Sequence, residues 1–333
     1  MSILFEPFEV KGVELRNRFM RSATTSYYSN DKGVVRPEII EIYRDLAKGE
    51  VGLIVKGHLY VSDKGKAHEG MAGISQDYHI PKLRELIDAV HSNGGIITAQ
   101  LNHAGVNSMT DKAGPSEFMG VARGDTVIEA RELGESEILE IVKDFGVAAE
   151  RAVNAGFDMV QIHGAHGYLI SQFLSRYVNK REDDWGGSLG GRMKLLRAVY
   201  QEIRERIPAD MPLMIKINSD DFTPTGFLVE YAVTFAEELS IMGIDLIEVR
   251  GGGVGRDENL YSRAGSKEPK LSEADFVGHA KLIREKTGDT PLALVSGIRT
   301  LSTMEAIIEW NIADMVSMCR PFIMEPDLVK KLK

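Results

Sequence analysis

The stretch Asn154-Ala155-Gly156-Phe157-Asp158-Met159-Val160-Gln161-Ile162-His163-Gly164-Ala165-His166-Gly167-Tyr168-Leu169 decides the reading of this chain. A helix end meets glycine, a short gap follows, and an apolar run leads into a cluster of rings. Glycine after a helix suits its C-terminus, and the same pattern recurs as Ile241-Met242-Gly243-Ile244-Asp245. The unit is therefore helix, turn, buried strand, with chemistry at the strand end. There, two imidazoles three positions apart can aim N–H groups at one oxygen, and the phenol of Tyr168 can protonate a neighbouring carbon. Two other readings stay open on this segment alone: a metal site, which lacks a third ligand or an HExxH helix, and rings merely packed in a loop.

Outward from that unit, apolar and β-branched runs with few charges predict strands over Leu15–Ser22, Gly52–Lys56, Gly95–Leu101, Met159–Ile162, Leu213–Ile217, Leu246–Val249, Leu292–Val295 and Met315–Met318. Amphipathic stretches between them predict helices over Pro37–Ala47, Ile80–His91, Glu135–Ala155, Arg192–Arg206, Leu228–Met242, Ser272–Lys286 and Leu301–Glu309. Ser136 is read as a start signal, and Ser272-Glu273-Ala274-Asp275 as a capping box. Eight strands alternate with seven helices, which predicts an α/β fold, a (β/α)8 TIM barrel, as a single domain over residues 1–333. An open doubly wound sheet would place G-x-G-x-x-G after the first strand, and none is there. Phe5–Leu15 alternates around Lys11-Gly12 and reads as an N-terminal β-hairpin closing the barrel bottom. Two connections are long: Asn102–Gly134, and Arg250–Leu271 with Gly251-Gly252-Gly253.

Composition narrows the function. Hydrophobic residues make up 43% of 333 positions, enough for a large core. No apolar run reaches the roughly 18 residues that span a bilayer, and the N-terminus lacks a secretory signal. Forty basic against 49 acidic residues give a net charge of −9, which does not invite nucleic acid. The lone Cys319 excludes an internal disulfide framework. The expectation is a soluble, cytoplasmic protein without nucleic-acid or membrane partners, leaving room for a homo-oligomer.

The polar residues gather where such barrels carry their chemistry, at the C-terminal strand ends. They include Arg21-Ser22-Ala23-Thr24-Thr25 with Tyr27, Gly57-His58, Gln100, and Lys216 within Met214-Ile215-Lys216-Ile217. A lysine inside an apolar run is costly unless paired. Strands seven and eight end in Ser296-Gly297-Ile298-Arg299 and Met318-Cys319-Arg320-Pro321, small residues beside arginines that suit a phosphate. A phosphate pocket, a glutamine and a lysine together describe a site for flavin mononucleotide, FMN. Gln100 offers a donor and an acceptor to its pyrimidine edge, Lys216 a cation for the reduced ring, and Thr25 a donor.

The chain resembles the Old Yellow Enzyme family of FMN-dependent ene reductases along its whole length. The matching motifs are Leu15-Arg16-Asn17-Arg18, Gly52-Leu53-Ile54-Val55, Ala99-Gln100-Leu101-Asn102-His103-Ala104-Gly105, His163-Gly164-Ala165-His166-Gly167-Tyr168-Leu169, Phe173-Leu174-Ser175, Asn179-Lys180-Arg181 with Asp183, Trp185-Gly186-Gly187-Ser188, Ser296-Gly297 and Arg320-Pro321-Phe322. The resemblance implies flavin contacts at Ser22, Ala23, Thr24, Thr25, Gly57, Gln100, Lys216, Cys319 and Arg320. It places His163 and His166 on the substrate's electron-withdrawing group, Tyr168 as proton donor and Tyr27 in the substrate pocket. It implies NADH or NADPH as hydride donor and a ping-pong reduction of a small electrophilic alkene. Many relatives carry arginine at Lys216 and glycine at Cys319, and the Thr25 position varies. Larger relatives similar to dienoyl-CoA reductases continue into cysteine-rich iron–sulfur domains, and with one cysteine this chain is expected to lack that electron route. A catalytically silent FMN module and a non-flavin phosphate-binding barrel are the alternatives.

Overall fold

A computed structural model describes residues 2–121, 127–223, 225–252 and 266–333. An antiparallel hairpin, β1 (Phe8–Val10) and β2 (Val13–Leu15), precedes the first barrel strand, β3 (Phe19–Arg21). Then follow α1 (Pro37–Lys48), β4 (Leu53–Tyr60), α2 (Ile80–His91) and β5 (Ile97–Asn102). Three short strands, β6 (Ala113–Gly114), β7 (Phe118–Val121) and β8 (Val127–Glu132), form a small separate sheet. The chain continues through α3 (Glu135–Ala155), β9 (Met159–Gly164), α4 (Leu169–Leu174), α5 (Leu189–Arg192), α6 (Lys194–Arg204) and β10 (Leu213–Asn218). It ends with α7 (Val229–Met242), β11 (Leu246–Arg250), α8 (Val277–Thr287), β12 (Leu292–Val295), α9 (Leu301–Glu309), β13 (Met315–Met318), α10 (Arg320–Met324) and α11 (Leu328–Leu332).

Strands β3, β4, β5, β9, β10, β11, β12 and β13 close in that order into one parallel barrel, the (β/α)8 architecture expected from the sequence. Its lower interior is apolar: Met20, Leu53, Val55, Met159, Met214, Leu246, Ala293 and Met315 pack with Val10 and Leu15 of the hairpin. The hairpin thus plugs the N-terminal end. Lys11 at its turn pairs with Asp245, just before β11, at 3.3 Å. A larger apolar layer lies between the strands and the helices, as buried parallel strands require. Gly156 and Gly243 end α3 and α7 at φ of 101° and 85°, a conformation glycine adopts without strain.

Three local expectations are corrected. The strand read over Leu15–Ser22 is two: Asn17 turns the chain, its Oδ1 accepting from Phe19 N at 3.1 Å and its Nδ2 donating to Glu50 O at 2.7 Å. Ser136 lies inside α3; Gly134 is the cap, and its N–H is met by Glu137 at 2.9 Å. Ser272–Asp275 is no capping box, because α8 begins at Val277. Glu273 instead accepts from Arg299 N and Thr300 N at 2.9 and 2.7 Å, and Asp275 accepts from Ser296 Oγ at 2.8 Å. Those carboxylates hold the loop after β12. Gly253, the third glycine after β11, lies outside the described residues, as does much of that connection.

Candidate active site

One layer above the apolar floor the barrel interior turns polar. Glu248 of β11 is fully buried, and its Oε1 accepts from Ser22 Oγ (2.6 Å), Ser317 Oγ (2.8 Å) and Lys216 Nζ (3.1 Å). Lys216 Nζ also donates to Ser22 Oγ at 2.6 Å. On the other oxygen, Gln161 Nε2 donates to Glu248 Oε2 at 3.1 Å, and Gln100 Nε2 donates to Gln161 Oε1 at 2.7 Å. Among the described residues, Gln100 Oε1 is buried without a hydrogen-bond partner. Burial pushes the Glu248 carboxyl up, but Lys216 and the two serines outweigh it and hold it below the usual carboxylate range. The sequence marked Ser22, Gln100 and Lys216. It missed Glu248, Gln161 and Ser317.

Around that floor stand the strand ends. β4 shifts register between Lys56 and Leu59, an irregularity that re-aims the chain at Gly57 and His58. A Cβ on Gly57 would stand 2.3 Å from the Cβ of Ala23 and 3.2 Å from Gln100 Oε1, so only glycine fits between them. Cys319 Sγ lies 3.6 Å from Ala23 O, next to the end of β3. Thr24 Oγ1 donates to Ser22 O at 3.1 Å, and Thr25 is half-buried beside it. Ser296 and Gly297 both have positive φ, 101° and 80°. The Ser296 hydroxyl is committed to Asp275, and Arg299 and Arg320 are exposed.

The ring cluster sits at the end of β9. His166 adopts φ of 62°, a left-handed turn that folds its ring back toward His163. The His163 and His166 centroids are 5.0 Å apart, and Tyr168 stands 5.0 Å from His163. The loop is pinned from behind. His166 N donates to Asn218 Oδ1 (3.0 Å), whose Nδ2 donates to buried Asp221 (3.0 Å). Gln172 Nε2 donates to Gly167 O (2.6 Å) and Ala104 O (3.0 Å). His58, unassigned by sequence, packs 5.1 Å from Tyr168 and 5.8 Å from His163. Tyr27 is 65% exposed and packs on His68 at 4.4 Å, which in turn packs on His58 at 5.7 Å. Burial first, then neighbouring titratable groups (His58, Lys216 and Arg250 for His163; Arg250 and Lys216 for His166), hold both imidazoles well below their usual value and therefore neutral. No group of three or more His, Cys, Asp or Glu among the described residues is arranged to hold a metal, and no described helix is long and apolar enough to cross a membrane.

Comparison with known proteins places this parallel barrel among the FMN-dependent oxidoreductases that use NAD(P)H. The chain belongs to the NADH:flavin oxidoreductase / NADH oxidase family, whose model matches residues 3–333. It is 38% identical to an NADPH dehydrogenase of Halalkalibacterium halodurans over 97% of this chain and 91% of that one. A metal reductase of Desulforamulus reducens is 35% identical over 99% of this chain, which spans only 48% of that relative's length. Among solved structures, the old yellow enzyme homologue from Zymomonas mobilis superposes with a TM-score of 0.84 at 27% identity, covering 99% of this chain and 92% of that one. A 2-naphthoyl-CoA reductase bound to 2-naphthoyl-CoA gives 0.91 at 26%, covering 99% of this chain and 52% of that one.

Proposed function

We propose that this protein reduces the activated C=C bond of a small α,β-unsaturated carbonyl or nitro compound. The observation that carries this reading is the convergence of His163, His166 and Tyr168 at one strand end. Bound FMN supplies the hydride chemistry, from NAD(P)H at one stage and to the alkene at the next. The residues present fit that cofactor. Gln100 leaves a buried acceptor unsatisfied, Gly57 and Ala23 form a cradle no side chain can enter, and Lys216 brings the cation. Ser22, Thr24, Thr25 and Cys319 line the same rim, and the loops at Ser296-Gly297 and Arg320 provide backbone N–H groups and cations for the phosphate.

His163 and His166 hold the carbonyl or nitro oxygen, where negative charge grows as the double bond is reduced. As neutral donors they stabilise that charge without surrendering a proton. Tyr168 gives its phenolic proton to the α-carbon, and Tyr27 lines the outer pocket. The test is anaerobic: NADPH-reduced protein is mixed with cyclohexenone, and saturated ketone is measured against flavin reoxidised. One ketone per flavin supports the reading. Reduction of flavin by NADPH with no ketone from any enone or nitroalkene removes it.

A further inference from the structure

Lys216 does not face the barrel mouth as a lone cation. Glu248 lies 3.1 Å away, fully buried, and ties together Ser22 just past β3, Gln161 of β9, Lys216 of β10 and Ser317 of β13. We propose that Glu248 is a positioning residue that sets the redox poise of the flavin site, by neutralising Lys216 and by fixing which way the amides of Gln161 and Gln100 point. The proposal rests on FMN occupying the barrel mouth.

Two physical consequences of one carboxylate carry it. First, charge: reduction adds negative charge to the flavin, which Lys216 favours and Glu248 opposes. In a buried site both act through little screening. Second, direction: a carboxylate only accepts hydrogen bonds. Gln161 must therefore present its NH2 to Glu248 and its oxygen to Gln100. Gln100 in turn spends one amide hydrogen on Gln161 and leaves Oε1 as the partnerless atom. That atom is the acceptor an imide N–H, such as flavin N3–H, requires. With glutamine at position 248 the chain of amides loses its compulsory direction.

The experiment measures the two-electron midpoint potential of FMN in purified holoprotein. Glu248→Gln is expected to shift binding about tenfold toward reduced FMN, a rise of roughly 30 mV for a two-electron couple. Lys216→Met is expected to shift it similarly downward, because Glu248 is then uncompensated. The double variant should return close to the parent. A merely structural role for Glu248 would weaken FMN binding without this ordered pattern. In a second readout, the N3–H resonance of 15N-labelled FMN should move in Glu248→Gln. A Glu248→Gln potential equal to or below the parent overturns the proposal. Should that variant fail to hold FMN, the double variant decides. It must lie above Lys216→Met, and equality, or loss of FMN from the charge-neutral double variant as well, assigns Glu248 to folding alone.

Discussion

The Nε2 atom of His163 lies 3.1 Å from the Nδ1 atom of His166. Ala165 N donates to His163 Nδ1 at 3.2 Å, so the proton of neutral His163 sits on Nε2 and is directed at its neighbour. His166 accepts it on Nδ1 and carries its own proton on Nε2. On the proposed function, an oxygen held by both atoms needs two donors, so His166 would have to move its proton to Nδ1 on ligand binding. Neither ring needs to become charged.

Ligand binding should therefore ignore histidine titration. Both rings are held well below their usual value, so they stay neutral from pH 6 to 8. The dissociation constant of a phenol whose own pKa is near 10 should change less than about twofold across that range, by flavin difference spectra. Binding that tightens through a step near 6.5 as pH falls would mean that a charged imidazole holds the ligand.

Acid should destabilise the fold early. Burial holds His58 at about 3 and His103 at about 4, and burial likewise holds His279 at about 4. The unfolded chain protonates these rings near 6.5 and the native one does not. Their contribution is intact above 6.5 and is lost as pH falls toward 4. His103 alone withdraws about 3 kcal/mol over that interval. Urea midpoints should fall steadily from pH 7 to 4.5, and a flat profile would contradict the buried neutral state.

Lys56 should be a liability at neutral pH. It is 1% exposed on β4, beside Arg21 of β3, with the Tyr43 ring 5.6 and 5.3 Å from the two cations. No carboxylate pairs with Lys56 among the described residues. Burial, then Arg21, pushes its ammonium down to about 7. The unfolded chain keeps that proton up to about 10.5, so wild-type stability rises with pH between 7 and 10.5. Lys56→Met should raise stability at pH 7 by a few kcal/mol, with the gain shrinking toward pH 10. A variant less stable than the parent at pH 7 would show that Lys56 has a partner that matters.

The buried strands were the legible part of this chain. Leu292–Val295 and Met315–Met318 begin and end where their apolar runs do, because both faces are covered. Leu15–Ser22 reads as one strand because a single polar side chain, Asn17, makes the break. In the sheet of β6, β7 and β8, β6 has only two residues and β8 is interrupted by Glu129, Arg131 and Glu132, so no continuous apolar run marks it. In the site, Lys216 stood out as a charge in an apolar run, and the same argument applied to Glu248 in Ile247-Glu248-Val249. Asn218 and Asp221 left no such signal, since their roles arise only when β10 ends beside the loop carrying His166.

A Tyr168→Phe variant should separate binding from proton transfer. The Tyr168 ring caps the end of β9 next to His163 and opens α4, while the histidines are held independently through Ala165 and Asn218. Tyr168→Phe keeps the ring and leaves those bonds in place. Phenols should bind as before, and NAD(P)H should still bleach the flavin at the parent rate. Only the alkene half-reaction should slow, by roughly 10²–10⁴-fold, the usual contribution of a positioned general acid. Nitroalkenes should lose less, because their reduced anion is stable enough to wait for a proton from water. Replacing both His163 and His166 with alanine should act the other way, abolishing phenol binding and alkene reduction together while sparing flavin reduction more. Stopped-flow traces of the two half-reactions distinguish these patterns. Enone reduction at the parent rate in Tyr168→Phe would pass the proton-donor role to Tyr27 or to water.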